Sequence, residues 1–145
     1  TGAAGSIGMA LCKKLNQIDV KNVVALDKSE IGIYNMKKEL SDKRFKFILG
    51  DICNNNLLEY LKNKFKINLV FHAAAYKHVP LVEFNQSQGV LNNSIGTMLA
   101  AKAAISQGVE TFVLISTDKA VRPSSTMGAS KRVAELILQA LFFSV

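Results

Sequence analysis

Residues 111–131 read TFVLISTDKAVRPSSTMGASK, and this stretch decides the fold. Thr111-Phe112-Val113-Leu114-Ile115 is an apolar run of the kind that forms a buried strand of a parallel sheet. Thr117, Asp118 and Lys119 come directly after Ser116, so hydroxylic and ionisable groups stand where the strand runs out. In open α/β sheets that carboxyl edge is where ligands bind. Arg122-Pro123-Ser124-Ser125 signals a turn. A helix is then expected from about Thr126, with Met127 and Lys131, four residues apart, sharing one face. An acid and an amine at a strand end, facing a lysine on the next helix, is an active-site layout.

The rest of the chain supplies the frame for that layout. Thr1-Gly2-Ala3-Ala4-Gly5-Ser6-Ile7-Gly8 is a G-x-x-G-x-x-G loop opening an amphipathic helix, with Ile7, Leu11, Leu15 and Ile18 expected inward. Asn22 to Asp27 reads as a strand ending in an acid, and Ser29 as the cap of a second helix with apolar Ile33, Met36 and Leu40. Phe45 to Leu49 is the next strand, closed by Gly50-Asp51. A helix carrying Leu57, Leu58 and Leu61 leads to the strand Ile67 to Phe71. Ala73-Ala74-Ala75 and a loop with Lys77, His78 and Pro80 precede a long helix expected from about Leu91 to Gln107. Strands alternating with helices at this spacing predict an α/β fold, a doubly wound parallel sheet with right-handed crossovers. No repeat, low-complexity tract or linker interrupts it, so residues 1–145 read as one dinucleotide-binding domain. A glycine loop of this kind needs a strand before it. None precedes Thr1, and the chain is expected to be a piece of a longer protein, lacking the first strand.

Composition narrows the function classes. The chain has 145 residues, 49% hydrophobic and 20% charged, ordinary for a soluble globular domain. No apolar run approaches the roughly 20 residues that span a bilayer, and no signal peptide is visible. Cys12 and Cys53 lack metal-ligand spacing and read as small half-buried thiols of a reducing cytosol. The net charge of +7 comes from lysines scattered over several helices, among them Lys13, Lys14, Lys37, Lys38, Lys62 and Lys64. That pattern is a solvated basic exterior with some attraction for an anionic substrate or lipid headgroups; it argues against nucleic acid.

The glycine loop sets backbone N–H groups at a helix N-terminus, where partial positive charge stabilises a pyrophosphate. Gly2, Ala4, Gly5, Ser6 and Ile7 are its candidate contacts. Asp27 ends the next strand at the distance expected of a ribose-binding acid, with capping of the helix after it as the alternative. Its carboxylate favours NAD over NADP, although Lys28 beside it softens the repulsion of a 2′-phosphate; Ser29 adjoins the same site. Asp51 and Ile52 fall where an adenine would lie, with Asp51 as a simple turn residue the equal alternative. Ala73, Ala74 and Ala75 leave room for a cofactor on the backbone, or equally for tight helix packing. Asn92 or Asn93 is expected either to contact the active-site backbone or to cap the long helix. His72 and His78 have no metal partners and read as hydrogen-bonded loop histidines. A lysine near another cation and partly desolvated has a lowered pKa, which suits Lys119 as a base, with Asp118 as the adjacent acid. Met127 is chemically silent.

These residues resemble a known family, the extended short-chain dehydrogenases/reductases. Within them the chain is similar to the UDP-N-acetylglucosamine 4,6-dehydratase branch of the polysaccharide biosynthesis proteins. The match is carried by TGAAGSIG at 1–8, LDKSE at 26–30, GDI at 50–52, VFHAAAYKHVPLVE at 70–83, NN..GT at 92–97 and FVLISTDKAVRPSSTMGASKRVAE at 112–135. Most short-chain dehydrogenases carry Tyr-x-x-x-Lys; Met127 stands in the tyrosine position, as it does in that branch, leaving the group that deprotonates the sugar 4-hydroxyl unnamed. The resemblance implies an NAD(P)-binding Rossmann fold and a UDP-sugar substrate. It also implies transient hydride transfer from C4 to NAD, removal of the C5 proton by Lys119 and protonation of the leaving 6-hydroxyl by Asp118. Hydride return to C6 would leave a 4-keto-6-deoxy sugar. Thr117 would bond the 4-oxygen, Lys131 the nicotinamide ribose, and Lys77 would assist at the substrate. The implied parent is a homo-oligomer at the cytoplasmic face of the inner membrane, its larger members having membrane-spanning segments upstream; this segment itself would be cytoplasmic and poorly active alone. A nucleotide-sugar epimerase, including inverting dehydratase/5-epimerases with a Met-x-x-x-Lys helix, is the nearest alternative. A non-catalytic NAD-binding module is the other.

Overall fold

The computed structural model describes residues 1–143, with side chains through Phe142. It divides into two compact units, Thr1–Asp51 and the residues from Ile52 onward.

The first unit runs α1 (Ser6–Asn16), β1 (Val23–Asp27), α2 (Glu30–Glu39) and β2 (Phe45–Leu49). β1 and β2 pair in parallel from Val23↔Phe45 to Asp27↔Leu49, so α2 is the crossover that parallel pairing requires. Ser29 starts α2 as expected, its hydroxyl accepting from the Gly32 N–H. The core gathers Ala3, Cys12, Ala25, Met36, Leu40 and Phe45, with Met9, Leu15 and Ile33 packed on it. The inward face of α1 is only partly the one expected: Leu15 packs on this core and Leu11 is half-buried, but Ile7 is exposed and Ile18 lies beyond the helix. Gly8 and Cys12 are the buried positions, while Ile7 and Ile18 are 52% and 56% exposed. A glycine cannot signal burial in a hydrophobic pattern, and Gly8 defines the contact face because nothing larger fits there. Arg44 closes the unit, its guanidinium donating to Asp42 and to the carbonyls of Asn16 and Ile18.

The second unit begins with α3 (Asn55–Lys64), capped by the Asn54 side chain accepting from the Leu57 N–H. β3 (Leu69–His72) pairs in parallel with β4 (Thr111–Leu114) from Leu69↔Thr111 to His72↔Leu114. β3 thus takes in His72 and leaves Ile67 and Asn68 outside the ladder. The described strands form these two two-stranded parallel sheets. Between β3 and β4 the segment expected to be loop contains α4 (Val79–Phe84) and α5 (Gln86–Val90). Pro80 fits because it falls in the first turn of α4, where no intrahelical donor is needed. The long helix also differs: Leu91–Ile95 is a π turn, and α6 (Gly96–Gln107) continues from it without a break. Asn92 is accordingly no N-cap. Gly108 ends α6 with φ 74°, the left-handed value that glycine tolerates. A 3₁₀ turn at Asp118–Ala120 and α7 (Thr126–Phe143) complete the order. Among the described residues no helix is long and apolar enough to cross a membrane.

A buried polar chain ties β3 to α6. His72 is fully buried, and its Nε2 lies 3.0 Å from Thr97 Oγ1. The Thr97 hydroxyl has one proton and donates it to Asn93 O at 2.6 Å. It therefore accepts from His72, which must carry its proton on Nε2. Burial first, and the charge of Lys131 with it, push the His72 pKa down to about 3, so the ring is neutral near pH 7. Replacing Thr97 by valine keeps the shape and removes this hydroxyl, stranding a buried N–H; the expected cost is about 1–3 kcal/mol. A urea titration should show the midpoint falling with the slope unchanged.

Candidate active site

In the first unit, the loop leaves β1's neighbourhood through an Ala3 N–H bond to Leu26 O and turns at Gly2, whose φ is 65°. Gly5 then caps α1, donating its N–H to Gly2 O at 3.1 Å. Gly8 permits the closest approach: a Cβ there would stand 2.2 Å from Gly2 O and 2.7 Å from Ala3 Cα. The N-terminus of α1 has no side-chain cap and no acidic residue in its first turn. Its free N–H groups and helix dipole are thus available to an anion. Asp27 fastens the other side of the loop, Oδ2 accepting from the Ala4 N–H and Oδ1 from the Ser29 N–H, both at 2.9 Å. A carboxylate accepts about four bonds, so it retains capacity for ribose hydroxyls. Capping of α2 falls to Ser29 and not to Asp27. Lys28 pairs with Asp51, Nζ to Oδ2 at 3.7 Å.

The second unit holds the ionisable cluster. Thr117 caps the 3₁₀ turn, and its hydroxyl donates to Asp118 Oδ1 at 2.9 Å. Asp118 Oδ1 also accepts from Lys119 N, and Lys119 Nζ stands 3.5 Å away. The Thr117 hydroxyl, and then the Lys119 charge, hold the Asp118 carboxyl below its usual range. The side chains of Lys119 and Asp118 are 55% and 88% exposed. Desolvation, expected at Lys119, belongs instead to Lys131. That residue is 3% exposed and donates from Nζ to Ile115 O at 2.7 Å. Burial lowers its pKa, partly opposed by Glu135. Met127 is buried one turn before it, also at 3%. Gly128 brings α7 against the 3₁₀ turn, since a Cβ there would meet Lys119 O at 2.3 Å.

Of the two asparagines in the π turn, Asn93 makes the connections. Its Oδ1 accepts from Tyr76 N, and its Nδ2 donates to Tyr76 O and to Ser130 Oγ, at 2.8–3.0 Å. It joins the segment after Ala73-Ala74-Ala75 to the helix of Lys131. Asn92, the expected cofactor contact, donates to Asn93 Oδ1. The alanines are half-buried, and Lys77 is exposed beyond them. Ile52 is buried, its side chain lying where a Cβ on Gly96 would go. Gly128 carries no role that the sequence pattern announces. It could have been found only by noticing a glycine inside a helix's first turn, where propensity disfavours it.

With this geometry in view, the match to known proteins is informative. The polysaccharide biosynthesis protein family matches the chain over residues 1–143. The chain belongs to that family. Capsular polysaccharide biosynthesis protein CapD of Staphylococcus aureus and the probable polysaccharide biosynthesis protein EpsC of Bacillus subtilis (strain 168) are each 42% identical over 146 residues, with 97% of this chain covered. The chain spans 24% of the length of each. A UDP-glucose 4-epimerase of Rickettsia rickettsii is 34% identical over 93% of the chain and 40% of its own length. Among solved structures, Pen from Bacillus thuringiensis has a TM-score of 0.91 at 34% identity, over 99% of this chain and 45% of that one. DesIV of Streptomyces venezuelae, a dTDP-glucose 4,6-dehydratase solved with NAD and TYD, has a TM-score of 0.89 at 25% identity, over 99% and 50%. The expected Rossmann-type α/β fold is thereby established.

The packing sets two expected outcomes. Gly128→Ala should push the 3₁₀ turn off α7, because a backbone carbonyl cannot yield as a side-chain end can. A solved structure of the variant should show Asp118 and Lys119 displaced, and thermal melting should report a loss of about 1–3 kcal/mol. Lys131→Met should raise stability near pH 7. A buried ammonium costs several kcal/mol, which outweighs about 1 kcal/mol for the hydrogen bond lost at Ile115 O. The folded pKa lies below the ordinary 10.5, so the wild type carries the penalty in full at low pH and sheds it as pH rises toward 10.5. The variant's advantage, tracked by urea unfolding across pH, should narrow in that range.

Proposed function

We propose that the chain is the dinucleotide-binding part of a longer nucleotide-sugar 4,6-dehydratase. It acts with NAD on a UDP-N-acetylglucosamine-like substrate in polysaccharide or glycan biosynthesis. One observation carries the reading: an amine and a carboxyl group, Lys119 and Asp118, stand 3.5 Å apart at the strand exit, against the helix that holds Lys131. An epimerase needs only oxidation and reduction at C4, whereas eliminating water across C5 and C6 needs a second acid and base.

The first unit fits NAD. The uncapped N-terminus of α1 and the Gly2–Gly5 turn receive the pyrophosphate, and the spare lone pairs of Asp27 receive the adenosine ribose. The Lys28–Asp51 pair occupies the nearby positive charge, which disfavours NADP. Lys131 retains two ammonium protons beyond the one given to Ile115 O, and they bind the nicotinamide ribose. NAD, when bound, supplies a reversible hydride acceptor.

The Asp118–Lys119 pair moves the protons. At rest Asp118 is a carboxylate, its pKa held low by the Thr117 hydroxyl and then by Lys119, whose Nζ stands 3.5 Å away. A sugar covering the exposed pair removes water and favours the neutral form, reached by passing one proton from Lys119 to Asp118. The Lys119 amine takes the C5 proton once C4 is a ketone; the Asp118 acid gives its proton to the 6-hydroxyl, which leaves as water. Elimination leaves an ammonium and a carboxylate; the Lys119 ammonium gives its proton back to C5 as C6 is reduced, and the proton released from the 4-hydroxyl restores the starting pair. Thr117 orients Asp118 and donates to the 4-oxygen after rotation.

Incubation of the full-length protein with UDP-N-acetylglucosamine should give a 4-keto-6-deoxy product. A 4-epimer with no loss of water would instead favour the second reading, suggested by the Rickettsia relatives' epimerase name. Bound NAD without any turnover would favour a binding module. Lys119→Ala should slow C5–H exchange with solvent deuterium about a hundredfold or more, while Asp118→Asn should keep exchange and lose elimination.

A further inference from the structure

Lys131 and Glu135 lie one turn apart on α7 and reach consecutive residues of the segment leaving β4. Lys131 holds Ile115 O, while Glu135 Oε1 accepts from the Ser116 hydroxyl. The other oxygen of Glu135 accepts from Arg132 Nη1 at 2.8 Å. A carboxylate gripping a hydroxyl is a charge-assisted bond, short and directional. Its anchor is preset, because Arg132 fixes the rotamer of Glu135 from the same helix. Ser116 directly precedes Thr117, the cap of the turn that carries Asp118 and Lys119. Rotation of the backbone at Ser116 would therefore carry all three residues away from α7.

We infer that Glu135 is a positioning residue: through Ser116 it holds the Thr117-Asp118-Lys119 turn in register with the helix that bears Met127 and Lys131. The inference rests on the reading of Asp118 and Lys119 as the proton-transfer pair. Glu135 meets Ser116 and Arg132 with its two oxygens, and its charge also acts on Lys131; Ser116→Ala removes the first contact and leaves that charge in place. Two grips on consecutive residues by side chains four apart define an orientation, where one alone would leave a pivot.

The test uses the full-length protein with Glu135→Ala, Glu135→Gln, Ser116→Ala and the Glu135→Ala/Ser116→Ala double variant. Turnover of UDP-N-acetylglucosamine is measured together with amide hydrogen exchange of the 115–119 segment. Glu135→Ala and Ser116→Ala should each lower kcat about ten- to a hundredfold with KM little changed. The double variant should be no worse than either single one. Gln still accepts from the Ser116 hydroxyl and should recover most of the rate. Exchange should quicken within residues 116–119 in both alanine variants and stay at the wild-type level elsewhere. Unchanged kcat in Glu135→Ala, or losses that multiply in the double variant, would overturn the inference, as would exchange rising across the whole unit. Should the wild-type protein turn over no nucleotide sugar, the proposed function fails by itself. The exchange data then decide: local quickening in Glu135→Ala sustains the positioning role, and wild-type exchange overturns it.

Discussion

Burial of the Lys131 ammonium is the constraint on which the second unit is built. A charge almost wholly out of water costs several kcal/mol unless fixed groups replace its hydration. The carbonyl of Ile115 does part of this, and that requirement shapes the end of β4. The Ile115 N–H still belongs to the sheet, bonded to His72 O, while its C=O turns to the lysine. The strand must therefore stop there. Residues Ser116 to Lys119 are thrown out of the ladder and into the position where reactive groups are useful. Glu135 offsets part of the remaining penalty and engages Ser116.

A second polar cluster lies against α7. Asn92, Asn93 and Ser94 are consecutive and all buried. In an α-helix successive side chains rotate by about 100° and could not all face inward. The π turn inserts one residue and changes that rotation, which lets three polar groups reach partners together. Asn93 fills both its oxygen and its nitrogen on Tyr76 and Ser130, Ser94 donates to Ser130 O, and Thr97 passes the connection to His72. Such networks are rigid when fully satisfied and costly when broken. Here the network joins β3, α6 and α7, the three elements around the candidate active site.

The first unit obeys a simpler rule. Close backbone contact at Gly8 and the two bonds to Asp27 hold the loop without spending the α1 N-terminus, which stays open to an anion. One carboxylate fastens the loop and starts the turn into α2, so the residue that would read a ribose is itself held by the backbone it serves.

Period and punctuation made much of this legible in advance. The runs expected at Asn22–Asp27, Phe45–Leu49 and Thr111–Ile115 located β1, β2 and β4 within a residue. Ser29 and Thr126 began their helices where expected, and the motif blocks named the family. Those signals are local, written in neighbouring side chains. What escaped was non-local. The helices at 79–90 are short and weakly periodic, held by contacts to α7 such as the Glu83 carboxylate on Thr126. On α1 the burial of Gly8 escaped, because no hydrophobic count can register a glycine. Which lysine is desolvated was also undecidable from the chain: Lys119 and Lys131 carry identical side chains, and only packing decided that one meets water and the other a carbonyl. The sequence alone thus determined the strands, the longer helices, the loop and the candidate groups, because these depend on residues close together in the chain. The tertiary structure decided orientation, burial and protonation, because these depend on what distant residues bring alongside.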